Sequence, residues 1–261
     1  MKAIILSAGQ GSRLLPLTAR TPKCLLPVHD ECPALGIQLR AVAAAGVGEA
    51  CVVTGFGAPQ VDAYLQQNPI RGLHVETLYN PFYAAADNLI SCWVARSQMQ
   101  SDFVLMNGDT LFAPSVLDRV LEAPPSLIAL AVNHKDEYDG DDMKVELASS
   151  GRLEAVAKTL TPEQTHAESI GMMCFRGKGP EVFCDTLDDM VRTPDGLRSY
   201  YLAAINRIAA KGWVRSVSIG GDWWAEIDTV SDLMQVRAAM SRCAPLKRAP
   251  NHEAALRARS A

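Results

Sequence analysis

The first half of the chain alternates between short apolar runs and stretches in which apolar residues recur at helical spacing. The apolar runs predict buried strands at residues 2–7, 49–54, 73–79 and 103–107. The helix-spaced stretches between them lie at residues 33–45, 59–67 and 87–98. Strands that alternate with helices form a mostly parallel sheet covered on both faces, so this half of the chain predicts a three-layer α/β fold.

The pattern changes after residue 132, where short strands follow one another across polar turns. After an apolar run at residues 127–132, three strand-like segments predict a small antiparallel extension at residues 143–147, 153–157 and 170–175. Helices at residues 181–191, 200–210 and 229–240 and a strand at residues 214–219 complete the pattern. We therefore interpret residues 1–243 as a single domain and residues 244–261 as a basic C-terminal tail.

Candidate chemistry is expected where the predicted parallel strands end, because ligands of such sheets bind at the carboxyl ends of the strands. In this chain the predicted ends are Ser7, Thr54, Tyr79 and Asn107. The loops that follow these four residues are therefore the first places to look for a site.

Composition narrows the class of protein. The chain has 261 residues, is 48% hydrophobic and carries a formal net charge of −4, which argues against a general nucleic-acid binder. No apolar run reaches the roughly 18 to 20 residues of a membrane helix, and the N-terminus becomes polar too quickly for a signal peptide. Seven cysteines without a C-x-x-C pair indicate neither a disulfide framework nor a zinc ribbon. We expect a cytoplasmic protein that binds neither nucleic acid nor a membrane.

The basic residues near the N-terminus gather in a glycine-rich loop. The segment LSAGQGSRLLPLTARTPKCLLPV carries Gly9, Gly11, Arg13 and Lys23 and contains no acid. Its glycines let a phosphate chain approach the backbone amides, and its cations suit phosphate oxygens. A dinucleotide-binding G-x-G-x-x-G motif is excluded because Leu14 stands at the third glycine. The loop fits a nucleoside triphosphate, although G-x-G alone is more often a simple strand-to-loop turn.

Two acidic segments follow the predicted strands. Asp109 comes two residues after the strand FVLMN, at the sheet edge where a hard cation would be held. Near the C-terminus, Glu226 and Asp228 alternate, so both side chains point to one side of an extended segment. Taken alone, Asp109 is a turn residue and Asp228 an acid at a helix N-terminus. Mg²⁺ needs few carboxylates, however, because it keeps much of its octahedron for water and phosphate oxygens.

The combined G-x-G-x-R, Pro-Leu-Thr and Pro-Lys spacing of residues 9–23 resembles the signature of the nucleotidyltransferase family. This family contains the sugar-1-phosphate nucleotidylyltransferases and the phosphocholine cytidylyltransferase-like enzymes, and motifs in matching order continue to about Leu233. The resemblance implies a Rossmann-like nucleotidyltransferase fold in which residues 1–132 mainly bind the nucleotide and residues 133–243 mainly bind the acceptor. Ser7 departs from the alanine that is more usual in the family.

The resemblance also implies roles for individual residues. Arg13 and Lys23 would be catalytic, acting on the reacting phosphates. Asp109, Glu226 and Asp228 would hold Mg²⁺. The residues expected to bind the nucleotide are Leu6, Ser7, Ala8, Gly9, Gly11, Ser12, Thr54, Gly55 and Asn88.

Further motifs separate two branches of the family. Val-Ala-Lys-Thr at residues 156–159 stands where the sugar branch typically has Glu-Lys-Pro. By contrast, Asn-Pro-Phe-Tyr at residues 80–83 and Asp-Asn-Leu-Ile-Ser at residues 87–91 are similar to the phosphocholine cytidylyltransferase-like branch. That branch uses CTP and small phosphorylated or phosphonate amino alcohols, such as phosphocholine or 2-aminoethylphosphonate. The expected acceptor-binding residues are Tyr83, Asp87, Lys144, Lys158, Glu168, Tyr200 and Trp224.

The resemblance predicts Mg²⁺-dependent transfer of CMP from CTP to such an acceptor, with release of pyrophosphate. Two alternatives stay open. One is a sugar-1-phosphate or inositol-phosphate nucleotidylyltransferase that uses UTP, dTTP or CTP. The other is a non-catalytic, nucleotide-binding regulatory subunit. The sequence is compatible with a homodimer but does not decide the oligomeric state.

Overall fold

The computed structural model describes residues 1–242, which form a three-layer α/β structure. The strands are β1 (Lys2–Ser7), β2 (Pro27–His29), β3 (Cys32–Pro33), β4 (Glu49–Thr54), β5 (His74–Tyr79), β6 (Phe103–Asn107), β7 (Thr110–Phe112), β8 (Ile128–Asn133), β9 (Lys144–Leu147), β10 (Leu153–Ala157), β11 (Ala167–Phe175), β12 (Val214–Ser218) and β13 (Trp224–Glu226). The helices are α1 (Ala34–Ala44), α2 (Ala58–Gln67), α3 (Asn88–Val94), α4 (Pro114–Glu122), α5 (Gly179–Val191), α6 (Tyr201–Ala209) and α7 (Val230–Arg242). The predicted tail, residues 244–261, lies outside the described residues.

Four parallel strands in the order β5-β4-β1-β6 form one part of a nine-stranded sheet. Leu6 in the central strand β1 lies opposite Val53 of β4 and Asn107 of β6. The carboxyl ends of these strands therefore meet at one edge of the sheet. The predicted α/β fold is confirmed, and β1, β4 and β6 have their predicted bounds.

The long strand β11 joins the parallel strands to the antiparallel extension. Its C-terminal part pairs with β6 and its N-terminal part with β9, while β8 pairs with both parts from the other side. β10 runs antiparallel to β9, and β12 runs parallel to β8. The extension is therefore continuous with the main sheet.

β11 bends at Gly171, where its register with β8 shifts. Gly171 has a φ of +71°, a conformation that favours glycine. A Cβ atom at this position would meet the side chain of Asn107, whose Oδ1 accepts a hydrogen bond from the Tyr201 hydroxyl at 3.1 Å. The bend thus makes room for Asn107, two residues before Asp109.

Gly171→Ala is expected to lower the free energy of unfolding by about 1–3 kcal/mol, because the methyl group is strained at positive φ and displaces Asn107. Chemical denaturation measures the change. Gly48→Ala is the matched control, because nothing lies within 4 Å of a Cβ atom at Gly48. Equal stability of the two variants would contradict this account of the bend.

Helices cover both faces of the sheet over two clusters of buried side chains. Ile4 of β1 lies in one cluster with residues of α3, α5 and α6, whereas Ala3 and Ile5 lie in the other with residues of α1, α2 and α4. This division follows because successive side chains of a strand point to opposite faces. A third, smaller cluster packs Leu14, from the loop after β1, with Leu233 of α7. It anchors the glycine-rich loop to the last described helix.

Several boundaries differ from the predicted ones. β11 begins at Ala167 rather than at residue 170, because the polar residues Glu168 and Ser169 are buried in the strand and hide its apolar pattern. The helix predicted at residues 87–98 divides into α3 and a 3₁₀ turn at Ala95–Gln98. The pattern also did not reveal α4 or the strand pairs β2–β3 and β7–β13. Strands of two or three residues are too short to show a periodicity.

Six of the seven cysteines lie in the described residues. All six are free thiols and four are buried, which agrees with the expectation that this part of the chain has no disulfide framework. No helix within residues 1–242 combines the length and the apolar character that crossing a membrane requires.

Candidate active site

The glycine-rich loop begins with a left-handed residue and a tight turn. Gly11 has a φ of +74°, and its carbonyl accepts a hydrogen bond from Thr18 Oγ1 at 2.7 Å. The 3₁₀ turn Ser12–Leu14 follows and buries Leu14 completely. The adjacent Arg13 therefore faces outward, with 54% of its side chain exposed.

Lys23 connects two carboxylates that are distant in the sequence. Its Nζ lies 2.7 Å from Asp109 Oδ2 and 2.6 Å from Asp228 Oδ1, and only 14% of its side chain is exposed. Arg13 Nη2 lies 2.8 Å from the other oxygen of Asp228. Arg13, Lys23, Asp109 and Asp228 thus form one group, which we call the charged cluster.

A short pair of strands brings the two aspartates of the charged cluster together. β7 begins directly after Asp109, β13 ends two residues before Asp228, and the strands pair antiparallel with Thr110 opposite Glu226. The amide of Ile227 donates to the carbonyl of Asp109 at 3.1 Å. The β7–β13 pair therefore holds both acids at the carboxyl edge of the main sheet.

Asp228 precedes α7 without capping it. Asp232 Oδ2 accepts hydrogen bonds from the amides of Asp228 at 3.0 Å and Thr229 at 2.7 Å, and the Asp232 amide donates to Thr229 Oγ1 at 3.2 Å. This reciprocal arrangement satisfies amides of the first helical turn. Because Thr229 caps α7 with Asp232 as its reciprocal partner, the carboxylate of Asp228 remains available for Arg13 and Lys23.

Burial and charge act in opposite directions on the pKa values of the charged cluster. Burial alone would lower the pKa of Lys23, but Asp109 and Asp228 raise it above its ordinary value. Burial alone would raise the pKa of Asp228, but Lys23 and Arg13 hold it below its ordinary value. For the neighbouring Glu226, burial and then the charges of Asp109 and Asp228 raise the pKa to about 8. Burial beside two carboxylates therefore favours the protonated form of Glu226.

Glu226→Gln is expected to stabilise the metal-free protein at pH 8 by about 1–2 kcal/mol relative to the wild type, and by less at pH 5. Folded wild-type protein keeps the proton of Glu226 up to about pH 8, whereas the unfolded chain loses it near the ordinary pKa of 4.5. Between these values the folded state binds more protons, so the wild type loses stability as pH rises. Urea denaturation in EDTA at the two pH values measures the difference.

Glu122→Gln, at an exposed position of α4, is the matched control for this pH prediction. Its stability relative to the wild type is expected to be the same at both pH values. A Glu226→Gln effect that is equally independent of pH would contradict the raised pKa of Glu226.

The charged cluster fits a hard divalent cation. Asp109 Oδ1 is buried without a hydrogen-bond partner among residues 1–242, and Asp109 and Asp228 both direct an oxygen at one cationic nitrogen. In the described part of the chain, no group of three or more His, Cys, Asp or Glu side chains is arranged to hold a metal. The metal role of Glu226 beside Asp109 and Asp228 stays a prediction. Two carboxylates nevertheless suffice for Mg²⁺, which takes its remaining ligands from water and phosphate.

Several of the residues expected to bind the nucleotide lie together at the ends of β1 and β4. A Cβ atom at Gly55 would meet the carbonyl of Ala8 and the side chain of Tyr83. The amide of Phe56 donates to the same carbonyl at 2.9 Å. Thr54, Gly55 and Tyr83 line an open cavity of about 510 Å³. The structure therefore brings predicted nucleotide-binding residues from two strands beside one predicted acceptor-binding residue.

Other predicted nucleotide-binding residues have varied surroundings. Leu6 and Ser7 end β1, and Ser7 Oγ is buried without a hydrogen-bond partner in the described chain. Nothing lies within 4 Å of a Cβ atom at Gly9, so the backbone there is open to a ligand. Asn88 Oδ1 accepts a hydrogen bond from the amide of Tyr201 at 2.9 Å. Asn88 thus holds the first turn of α6 in addition to its predicted role.

Three of the predicted acceptor-binding residues are connected through β9. Lys144 lies opposite Glu168 in the β9–β11 ladder, and its Nζ donates to the carbonyl of Lys158 at 2.9 Å. Lys158 Nζ lies 3.3 Å from Asp141 Oδ1, so both lysines have partners within the protein. The remaining predicted residues lie before α3, before α6 or in β13: Tyr83, Asp87, Tyr200 and Trp224.

Lys135 is a site residue that the sequence analysis missed. Its Nζ lies 2.7 Å from Asp142 Oδ2 and 2.9 Å from Glu168 Oε2, and Asn133 Nδ2 donates to Glu168 Oε1 at 2.9 Å. Burial nevertheless raises the pKa of Glu168. The sequence signal was present, because Lys135 opens the otherwise acidic stretch KDEYDGDD.

Comparisons with known proteins find sequence similarity to nucleotide-transferring enzymes. A family model described as nucleotidyl transferase matches residues 2–126. CMP-5'-(3-aminopropyl)phosphonate synthase of Streptomyces rubellomurinus is 36% identical over 124 residues, which are 48% of this chain and 19% of that protein. CTP:phosphoglutamine cytidylyltransferase of Campylobacter jejuni is 25% identical over 256 residues, covering 89% of this chain and 98% of that protein. The chain thus spans about a fifth of the first relative and nearly all of the second.

A solved structure shows the same fold over almost the whole described chain. The inositol-1-phosphate CTP transferase of T. maritima superposes with a TM-score of 0.77 at 22% sequence identity. The superposition covers 92% of this chain and 95% of that chain. The parallel strands and the antiparallel extension therefore belong to one shared architecture.

Proposed function

From the match of residues 2–126 to the nucleotidyl transferase family model, we propose that this chain is a cytidylyltransferase. The proposed reaction transfers CMP from CTP to a small acceptor that bears a phosphate or phosphonate group. The names of both relatives support the nucleotide, since one makes a CMP-phosphonate and the other uses CTP and phosphoglutamine. The motifs at residues 80–83 and 87–91 support the same branch of the family.

The charged cluster is the observation that carries the proposal. Lys23, Arg13, Asp109 and Asp228 meet at the carboxyl edge of a parallel sheet, where ligands of such folds bind. Two cations suit the triphosphate, and two carboxylates suit a divalent metal that accompanies it. A site with both kinds of group can hold two anionic substrates and neutralise their mutual repulsion.

In the proposed reaction an oxygen of the acceptor phosphate attacks the α-phosphorus of CTP. The new bond joins that oxygen to the α-phosphorus, the bond from the α-phosphorus to the β-bridging oxygen breaks, and pyrophosphate leaves with its electrons. The attacking oxygen is ionised at neutral pH, so no protein base is needed. Arg13 and Lys23 align the phosphates and neutralise their charge. Mg²⁺ held by Asp109 and Asp228 would supply further positive charge at the phosphate oxygens.

The acceptor half of the site suits a small molecule with an amine. Tyr200 is 50% exposed, and Tyr83 lines the open cavity at the end of β4, so both rings offer a face to a cation. Asp87, which precedes α3, and Glu168 of β11 are the candidate carboxylates. We therefore propose a phosphorylated or phosphonate amino alcohol as the acceptor.

A matrix of four nucleoside triphosphates against four acceptors, followed by pyrophosphate release, tests the proposal. The acceptors are phosphocholine, 2-aminoethylphosphonate, a hexose 1-phosphate and inositol 1-phosphate. Turnover is expected with CTP and one of the first two, and Asp109→Asn protein prepared in parallel measures the background. Turnover only with the hexose 1-phosphate or inositol 1-phosphate would contradict the proposed amino alcohol acceptor and indicate a sugar or inositol phosphate instead. Nucleotide binding without turnover on any acceptor would favour a regulatory subunit.

A further inference from the structure

The charged cluster neutralises itself in the ligand-free protein. Lys23 Nζ is bound to both Asp109 and Asp228, and Arg13 is bound to Asp228 as well. Arg13 Nη1 also lies 4.0 Å from Asp141 Oδ2. The two cations proposed for the phosphates are therefore occupied by carboxylates, and the two carboxylates proposed for the metal are occupied by cations.

A divalent cation between the two aspartates would compete directly with the ammonium of Lys23. Asp109 Oδ2 and Asp228 Oδ1 each lie within 2.7 Å of Nζ, and a metal ligated by these oxygens would need the same space. Two cations a few ångströms apart also repel each other strongly where solvent access is limited. Lys23 and the metal therefore cannot both bind this pair of oxygens.

Lys23 is built so that its side chain can move while its backbone stays in place. The 3₁₀ turn Lys23–Leu25 is anchored by Cys24, of which only 3% is exposed. The stem of Lys23 packs beside Gly11, where an added Cβ would lie 3.0 Å from Lys23 Cδ. A flexible four-carbon stem on a fixed backbone lets the ammonium leave the aspartates and stay within the glycine-rich loop.

We propose that Lys23 is the internal counterion of Asp109 and Asp228, and that a divalent metal displaces it and so frees it for the triphosphate. This inference rests on the proposed function and deepens it by linking the two ligands of the site. Metal binding makes Lys23 available to the phosphates, and phosphate binding removes Lys23 from the aspartates. Each ligand therefore raises the affinity for the other by the same factor. A ligand that binds alone has to break the ion pairs of the charged cluster, and no second ligand then binds the groups that are released.

The decisive experiment titrates Mn²⁺ into EDTA-treated, dialysed protein without any nucleotide, by calorimetry or by electron paramagnetic resonance. Lys23→Met is expected to bind Mn²⁺ at least about tenfold more tightly than the wild type, because the internal competitor is gone. Lys2→Met is the matched control. Lys2 also pairs with a carboxylate, Glu49, at 3.3 Å, but at the opposite end of β1, so its variant is expected to bind Mn²⁺ as the wild type does.

Equal or weaker Mn²⁺ binding by Lys23→Met than by the wild type would overturn the proposal. A gain in Mn²⁺ affinity of the same size in Lys2→Met would also overturn it, because it would indicate a general effect of net charge. Lys23→Gln, which keeps a hydrogen-bond donor without the charge, provides the same test if the methionine variant does not fold.

A second measurement examines the coupling in the wild-type protein. A CTP analogue with a methylene group between the α- and β-phosphorus atoms binds without reacting. Mn²⁺ affinity is expected to rise at least about tenfold when the analogue is saturating, and Lys23→Met is expected to show a smaller rise. Equal rises would overturn the displacement. Neither titration measures turnover, so the proposal can fail while CMP transfer is observed, and the reverse holds too.

Discussion

Asp109→Asn is expected to reduce the rate of CMP transfer at saturating substrates by about a thousandfold or more. The change removes one of the two carboxylates proposed to hold Mg²⁺, and a metal at transferring phosphates contributes several kcal/mol of charge stabilisation. It also releases Lys23 from one partner, at a cost to folding of only about 1 kcal/mol, because Asp228 continues to bind the ammonium. Pyrophosphate release measures the rate, and thermal unfolding verifies the fold.

Asp118→Asn serves as the charge-matched control for Asp109→Asn, since Asp118 is exposed on α4. Its rate is expected to equal that of the wild type. If the Asp109→Asn rate is close to the wild-type value at saturating Mg²⁺, Asp109 is not a metal ligand. It would then be a turn residue that forms an ion pair with Lys23.

Lys23→Met is expected to lower kcat by about a hundredfold or more while changing the KM for CTP much less. A cation aimed at the reacting phosphates stabilises the charge that develops during transfer more than it stabilises bound substrate. Steady-state kinetics with CTP varied at saturating acceptor separates the two parameters. Lys2→Met, with its lysine at the far end of β1, is expected to leave both unchanged. A rise in KM with an unchanged kcat would assign Lys23 to substrate binding alone.

The main sheet was largely predictable because its strands are apolar runs separated by helices. β1, β4 and β6 match the predicted bounds, and their parallel pairing follows from the alternation with helices. The strand prediction was least complete where buried polar residues interrupt an apolar run or where a strand is very short. In β11 the buried residues Glu168 and Ser169 interrupt the apolar run, and in β7 and β13 the strands are only three residues long.

The site was predictable as separate motifs and not as an assembly. Arg13, Lys23, Asp109 and Asp228 each came from a motif, and the structure links all four through a chain of ion pairs. The sequence did not indicate that Lys23 would bind both aspartates. Glu226 was predicted beside Asp228 as a metal ligand, and in the structure its burial, together with the charges of Asp109 and Asp228, raises its pKa to about 8. The metal role of all three acids stays a prediction.

Features that depend on a few neighbouring residues follow from the amino-acid sequence alone. The positive φ of Gly11, the turn that buries Leu14 and the alternation of β1 between two cores all follow from residue type and short spacing. Which charges meet depends on the folded chain, because the contacts of Lys23 span 86 and 205 residues. Contacts at such separations leave no local periodicity. They form only when the β7–β13 pair and the packing of Leu14 against Leu233 close the chain around the loop.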